Sequence, residues 1–437
     1  MFGDLLFILI FLMIGIYLLR RINIICNFLP LAIIFWIPLY KVGENNITLL
    51  DTLIVYITIA SVINIASKKY FYGIVNEDVS LALIIILLSI LIGLSGSLGL
   101  IFNGKGILDF LISLGLYLKK WGLYTIIPLI FLINNKKLNI NFLLKLSLFI
   151  FIIILIYALK TFNSNNLIRS SSLLYNPNVF AAFYLIGANI STSAIFYKVN
   201  DKLIKFMSFV ILLSFIIVLI ISASRSATIG AFFSAFYWAY RSKIEKKQSI
   251  FLTISMLLTF TILFGISFNM NLYINRWKDI ILFGLDSPGA AFRIDAVKTG
   301  LIMAKDSPFF GYGFGNVTDL SFIYTTKHSK YIDYLSTTDN IYLDILLDSG
   351  AFGLLCFLFT IYLIWKKLNI KLNSDKENYL KAGLKASLIA LIIIGLFGQS
   401  FYSPFISSYF WLLFSICLVS SNKLKERIST NYLNKIK

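Results

Sequence analysis

The sequence is short of charge. Asp, Glu, Lys and Arg make up 14% of its 437 residues, against 59% hydrophobic residues and a mean hydropathy of +0.85. Soluble proteins carry about a quarter of their residues as charges, so this chain cannot cover itself with water-compatible side chains, and lipid must solvate its outside. It has one histidine, His328, which excludes a multi-histidine metal centre, and no metal site is expected. Its three cysteines, Cys26, Cys356 and Cys417, lie within apolar stretches without metal-ligand spacing, so no disulfide framework is expected. There is no P-loop lysine motif, dinucleotide fingerprint or metal-binding carboxylate pattern. Nucleotide-sugar chemistry of the soluble kind, energy from ATP and any bound cofactor are therefore not expected. No low-complexity segment or internal repeat stands out.

What remains is long apolar runs. A spanning helix needs about 20 mostly apolar residues. Candidate spans are 4–19, 22–40, 47–66, 79–102, 117–133, 140–158, 178–197, 206–222, 226–240, 250–268, 339–365, 383–400 and 405–421. The expected fold is all-α: a polytopic bundle of 12–13 spans. The run from Leu5 to Leu19 is followed by Arg20 and Arg21 and reads as a retained helix rather than a signal peptide. Residues 103–116 read as a re-entrant or interfacial piece.

The formal net charge is +19, but its basic residues fall in short clusters between apolar runs, which is how topology is encoded; nucleic acid is not an expected partner. The clusters follow alternate spans, from Arg20 and Arg21 to the tail beginning at Lys423, and hold 23 of the 39 Lys and Arg residues. The positive-inside rule puts them in the cytoplasm. The reading divides the chain into a bundle over 1–268, an extracytoplasmic loop over 269–338, three spans over 339–421 and a cytoplasmic tail over 422–437. Within the loop, Ala291 to Lys305 has apolar residues at helical spacing and reads as an amphipathic helix.

Charges within or beside membrane spans are costly and usually functional. Arg225 sits in Ser222-Ala-Ser-Arg-Ser-Ala227, between two helices and among small residues. A guanidinium is a planar fork suited to phosphate oxygens, although a topology anchor would use the same residue. Arg276 and Arg293 stand in the loop and could join Arg225 as a receptor for a diphosphate, or pair with Asp279, Asp286 or Asp295. Asp339 and Asn340 open a helix; Asp339 could accept a proton from an attacking hydroxyl or act as a plain N-cap. Asp344 and Asp348 follow it. Arg169, Tyr175, Asn176, Pro177 and Asn178 form a further cluster, in which Asn-Pro-Asn is also a helix-start signal.

From about Arg169 to Gly353 these pieces resemble the O-antigen ligase and polymerase superfamily of bacterial membrane glycosyltransferases. The resemblance rests on Tyr-Asn-Pro-Asn at 175–178, Ser-Ala-Ser-Arg-Ser at 222–226, Arg293 before Pro308-Phe-Phe-Gly-Tyr-Gly313, and Asp339-Asn340 ahead of Gly350. It implies a GT-C-like bundle in the bacterial inner membrane with its site on the periplasmic or extracellular face. The donor would be a glycan on polyprenyl diphosphate, the acceptor a hydroxyl, and the reaction would need no metal. Arg225, Arg293 and Arg276 would hold the diphosphate. Asn340, Tyr175, Asn178 and Arg169 would position donor or acceptor. A chain-length regulator and other glycan-assembly proteins are implied partners, with membrane lipid. Ligases carry His before the Asn where this chain has Asp339, which favours the polymerase branch over a ligase acting on lipid A core or protein. A lipid-linked oligosaccharide flippase is the reading from another class.

Overall fold

The structure is a computed structural model that describes residues 26–31, 38–42, 45–67, 77–134, 138–161, 174, 176–244, 288–328, 337–369, 375–398 and 401–436. After a short antiparallel hairpin, β1 (Pro38–Val42) and β2 (Asn45–Thr48), the chain is helical. The helices are α1 (Leu49–Ser67), α2 (Glu77–Phe102), α3 (Ile107–Lys120), α4 (Ile127–Ile133), α5 (Ile140–Thr161), α6 (Pro177–Phe196) and α7 (Lys202–Ser222). They continue with α8 (Arg225–Ile244), α9 (Pro288–Asp306), α10 (Val317–His328), α11 (Ile341–Asn369), α12 (Asp375–Ile394) and α13 (Pro404–Ile436). The fold is that of an all-α polytopic protein. Among the described residues, six helices are long and apolar enough to cross a membrane, or seven if α3 and Gly122–Ile133 count as one bent span.

Several boundaries differ from the sequence expectation. The span expected over 22–40 runs into the hairpin, because Pro38 cannot donate to a continuing helix and residues to Val42 pair as a strand instead. The expected start at 117 falls inside α3, which continues to Lys120 and breaks at Trp121. The span over 383–400 stops earlier, since α12 ends at Ile394 and turns at Gly395. The helix expected over 291–305 is present as α9. Spans 4–19 and 250–268 lie outside the described residues.

The chain divides into two compact units. One comprises the described residues of Met1–Ile86, Leu123–Ile150 and Ser408–Lys437. Within it the Tyr124 hydroxyl donates to Asp51 Oδ1 at 3.1 Å, Asn134 Nδ2 donates to Ser61 Oγ at 3.2 Å, and the Tyr409 hydroxyl donates to the Ser147 carbonyl at 2.6 Å. These bonds satisfy polar groups where lipid offers none.

The other unit comprises Leu87–Gly122 and the described residues of Phe151–Ser407. Its centre is α6, which packs against α7, α8 and α12 and is 89% buried. Trp238 Nε1 on α8 donates to Asn189 Oδ1 on α6 at 3.2 Å.

This unit also contains a broken helix. Inside α11, Gly350 has φ 67° and ψ −174°, so the i→i−4 ladder fails there. The Pro308–Gly313 loop replaces the missing bonds. Tyr312 N donates to the Leu347 carbonyl at 2.7 Å and Gly313 N to the Asp348 carbonyl at 3.0 Å, while Ala351 N donates to the Pro308 carbonyl at 2.8 Å. Ser95 Oγ on α2 donates to the Ser349 carbonyl at 2.7 Å. The fit requires glycine on both sides. A Cβ on Gly350 would lie 2.1 Å from the Phe309 carbonyl oxygen, and one on Gly311 would lie 2.5 Å from the Leu347 oxygen. Both have left-handed φ, which disfavours side chains further. Phe314, fully buried, ties the loop to α3: its amide donates to Ser113 Oγ at 2.8 Å and its ring centroid lies 4.8 Å from that of Tyr117.

Gly350→Ala should therefore separate loop from helix. The expected cost is about 3 kcal/mol or more, from positive-φ strain and overpacking together. Thermal unfolding of the purified protein in detergent would show a lowered Tm, and a wild-type Tm would refute the lock.

Candidate functional site

The turn before α11 is built by a carboxylate inside the helix. Asp344, 7% exposed, accepts from Thr338 N at 2.8 Å, Thr338 Oγ1 at 2.7 Å and Thr337 Oγ1 at 2.9 Å. Asp339 N in turn donates to Thr337 Oγ1 at 3.1 Å. These bonds force Asp339 to φ 54°, the left-handed region, which costs about 1 kcal/mol or more for a side-chain-bearing residue. The helix cap is Asn340, not Asp339. Asn340 Oδ1 accepts from Tyr342 N at 3.0 Å and Leu343 N at 3.1 Å. Asp339 is thereby released from capping.

Its carboxylate pairs instead with Arg293. Arg293 Nε donates to Asp339 Oδ2 at 3.0 Å, with the two side chains 27% and 34% exposed. Asp295 is not its partner, and Asp279 and Asp286 lie outside the described residues. Arg293 is held by α9, whose Ala296, Met303 and Ala304 form a buried cluster with Tyr312 from the glycine loop and with Leu343 and Leu347 from α11. The Tyr312 hydroxyl donates to the Met303 carbonyl at 2.8 Å, and the Tyr324 hydroxyl of α10 donates to Asp306 Oδ2 at 2.6 Å. Burial, and then the bond to Asp306, push the Tyr324 phenol well above its usual range, so it stays a donor at physiological pH. Among the described residues, the terminal nitrogens of Arg293 and Oδ1 of Asp339 have no hydrogen-bond partner.

Asp339 lines a cavity of about 110 Å³ with Thr337, Asn176, Asn178, Ser226 and the apolar Val179, Ala182, Ile394 and Ile406. Four segments far apart in sequence meet there. Asn176 caps α6, its Oδ1 accepting from Asn178 N at 2.8 Å, with Pro177 in the first turn; the helix-start reading of Asn-Pro-Asn holds. Asn178 Oδ1 accepts from Ser224 Oγ at 3.0 Å, joining α6 to the α7–α8 turn. That turn reverses at Ala223, with φ 46°, so that α8 begins at Arg225 with Ser226 on the cavity. Arg225 is half-buried at the start of α8.

The structure thus brings Asn178, Ser226, Thr337 and Asp339 onto one cavity, with Arg293 on the carboxylate and Arg225 beside Ser226. Asn340 serves α11 as its cap, and its Nδ2 lies 3.5 Å from the Leu396 carbonyl. Arg169, Tyr175 and Arg276 lie outside the described residues, as does the side chain of His328. Sequence reasoning missed Thr337 as a cavity wall and the 46-residue link from Arg293 to Asp339. The signal available was Thr337-Thr338 ahead of the helix, since Thr side chains there commonly make local hydrogen bonds.

Residues 209–358 match the family model for O-antigen ligase. The O-antigen ligase domain so matched contains Arg225, Arg293, Gly311, Asp339, Asn340 and Gly350, and it supports the O-antigen ligase/polymerase superfamily. The α6 wall of the cavity lies outside the matched segment. A comparison with curated proteins gave no match. The O-antigen ligase family implies glycan transfer of the ligase/polymerase type, lipid-linked glycan substrates and a multi-pass membrane enzyme resembling glycosyltransferases.

Asp344→Ala should leave the Thr338 amide and the Thr337 hydroxyl without an acceptor, and the Thr338 hydroxyl with the Asn340 carbonyl alone. The expected loss is about 3 kcal/mol, together with loss of glycan transfer as the 337–339 turn relaxes. Thermal unfolding and a glycan ladder from a complemented deletion strain measure the two; normal values for both would show that Asp344 does not hold the turn.

Proposed function

We propose that the protein is a polysaccharide polymerase. It transfers a glycan from polyprenyl diphosphate to a hydroxyl of another lipid-linked repeat unit, at the extracytoplasmic face of the bacterial inner membrane. The observation that carries this reading is the cavity in which Asp339, bonded to Arg293, faces Ser226 at the start of α8. The O-antigen ligase match supports it.

The chemistry balances over these groups. The acceptor oxygen attacks the anomeric carbon and its proton passes to Asp339 Oδ1. The bond from that carbon to phosphate breaks, and the electron pair leaves on the diphosphate. Charge develops on the departing oxygens, and fixed cations lower that barrier. The terminal nitrogens of Arg293 and the guanidinium of Arg225 serve there, with the amides of the first turn of α8. In this reading the reaction uses no metal, and Arg276 joins the diphosphate site. Asn178 positions substrate, with Tyr175 and Arg169 beside it, and Asn340 sets the register of Asp339. Membrane lipid, a chain-length regulator and other glycan-assembly proteins are its partners.

Arg225→Ala should abolish long chains and leave single repeat units in the host's polysaccharide ladder, a loss of about 100-fold or more in transfer. A ligase would instead leave full-length glycan on its lipid carrier. A flippase variant would trap lipid-linked units in the cytoplasmic leaflet, and that outcome would overturn the enzyme reading. Asp339→Asn tests the proton acceptor. We expect a loss of about 100-fold or more in turnover, and near-normal turnover would remove Asp339 from that role.

A further inference from the structure

A second polar cleft lies on the other side of Asp344. It has a volume of about 50 Å³ and is lined by Lys120 at the end of α3, Thr318 on α10, Asp344 and Asp348 on α11, and Tyr402. Two of these groups are buried without a hydrogen bond, although the Lys120 charge acts on the Asp348 carboxyl. Asp348 is 6% exposed and its side chain has no hydrogen bond among the described residues. The Tyr402 side chain is 5% exposed, and its hydroxyl is buried with no hydrogen bond. The Lys120 ammonium lies 5.5 Å from the centroid of the Tyr402 ring and has no hydrogen bond among the described residues. A buried carboxyl and a buried phenol that make no hydrogen bond are costly even beside an ammonium unless something occupies the cleft.

The charges select the occupant. Two carboxylates repel a phosphate, and Lys120 repels a metal cation. A neutral ligand that both donates and accepts hydrogen bonds satisfies all three bare groups, and sugar hydroxyls do so. The volume seats one edge of a sugar ring. The location fits as well, because Asp344 lines this cleft while its other bonds hold the Thr337–Asp339 turn.

We propose that this cleft is the subsite for the acceptor glycan, with Lys120, Asp348 and Tyr402 gripping hydroxyls of the sugar whose neighbour faces Asp339. The inference rests on the glycan-transfer reading. It names residues that lie outside the Asp339 cavity, and Lys120 and Tyr402 lie outside the O-antigen ligase match.

Tyr402→Phe is the decisive variant. It deletes one oxygen that has no protein partner, so it should fold at least as well as wild type. The probe is the free oligosaccharide released by mild acid from the host's lipid-linked repeat unit, titrated into the full-length protein in nanodiscs by calorimetry. Tyr402→Phe should weaken binding about fivefold and Asp348→Asn about tenfold or more, as lost neutral and charged hydrogen bonds do. In turnover assays the same variants should raise the half-saturating acceptor concentration by similar factors, with kcat within about twofold of wild type. Unchanged binding in Tyr402→Phe and Asp348→Asn would mean that the cleft holds only water, and would overturn the proposal. Oligosaccharide binding that depends on Asp348, in a protein that transfers no glycan, would keep the subsite and defeat the catalytic reading.

Discussion

Backbone groups inside a lipid-solvated bundle have no water to bond with, and each one left unsatisfied costs several kcal/mol. That constraint governs the break in α11. Once Gly350 leaves the helical region, the carbonyls of Leu347, Asp348 and Ser349 need new donors. The Pro308–Gly313 loop and Ser95 provide them. The loop is therefore a structural part of the span and not merely adjacent to it. It also ends α9, whose other end carries Arg293. The same backbone bonds that repair the helix thus set where the guanidinium sits relative to Asp339. Tyr312 links the two ends of this arrangement, since its amide bonds the broken helix and its hydroxyl bonds the last turns of α9.

The long apolar runs were legible because composition alone identifies them. Their ends were not. The strand that begins at Pro38 and the turn at Gly395 fall at points that a run of apolar residues does not mark. The glycine pattern from Gly311 to Gly350 was readable as a family resemblance, but its reason was not, because the contact is made between backbones 39 residues apart. The site was legible in part. Arg293, Asp339, Asn178 and the Ser-Ala-Ser-Arg-Ser turn were all visible as unusual polar residues among apolar ones. Asp339 was left between proton acceptor and helix cap, because local propensity favours Asp and Asn equally as caps. What decided between them was Asp344, six residues from Thr338, whose bonds rotate Asp339 out of the capping position. No local rule contains that contact.

The ion pair between Arg293 and Asp339 has a consequence for the reaction cycle. Before donor binding, the pair satisfies one carboxylate oxygen and one guanidinium nitrogen. The remaining nitrogens are presented as a fork, the geometry that phosphate oxygens accept. A diphosphate can engage that fork without breaking the pair, so in the proposed reaction the cation on the leaving group would also orient the proton acceptor. Both charges are partly solvated, which keeps the cost of holding them modest.

Asp344 lines one polar space and bonds Thr337, which lines the other, and the two spaces differ in charge. On one side are Asp339 and Ser226, with the guanidinium of Arg293 on the carboxylate and Arg225 beginning α8, a space suited to an anion that is leaving. On the other are Asp344 itself, Asp348 and a single ammonium, a space that rejects anions. In the proposed reaction, this difference in charge would keep the acceptor out of the donor's place without any moving part. The three donors from Thr337 and Thr338 immobilise Asp344, and immobility is what the arrangement requires of it. If that side chain turned, both spaces would change shape together.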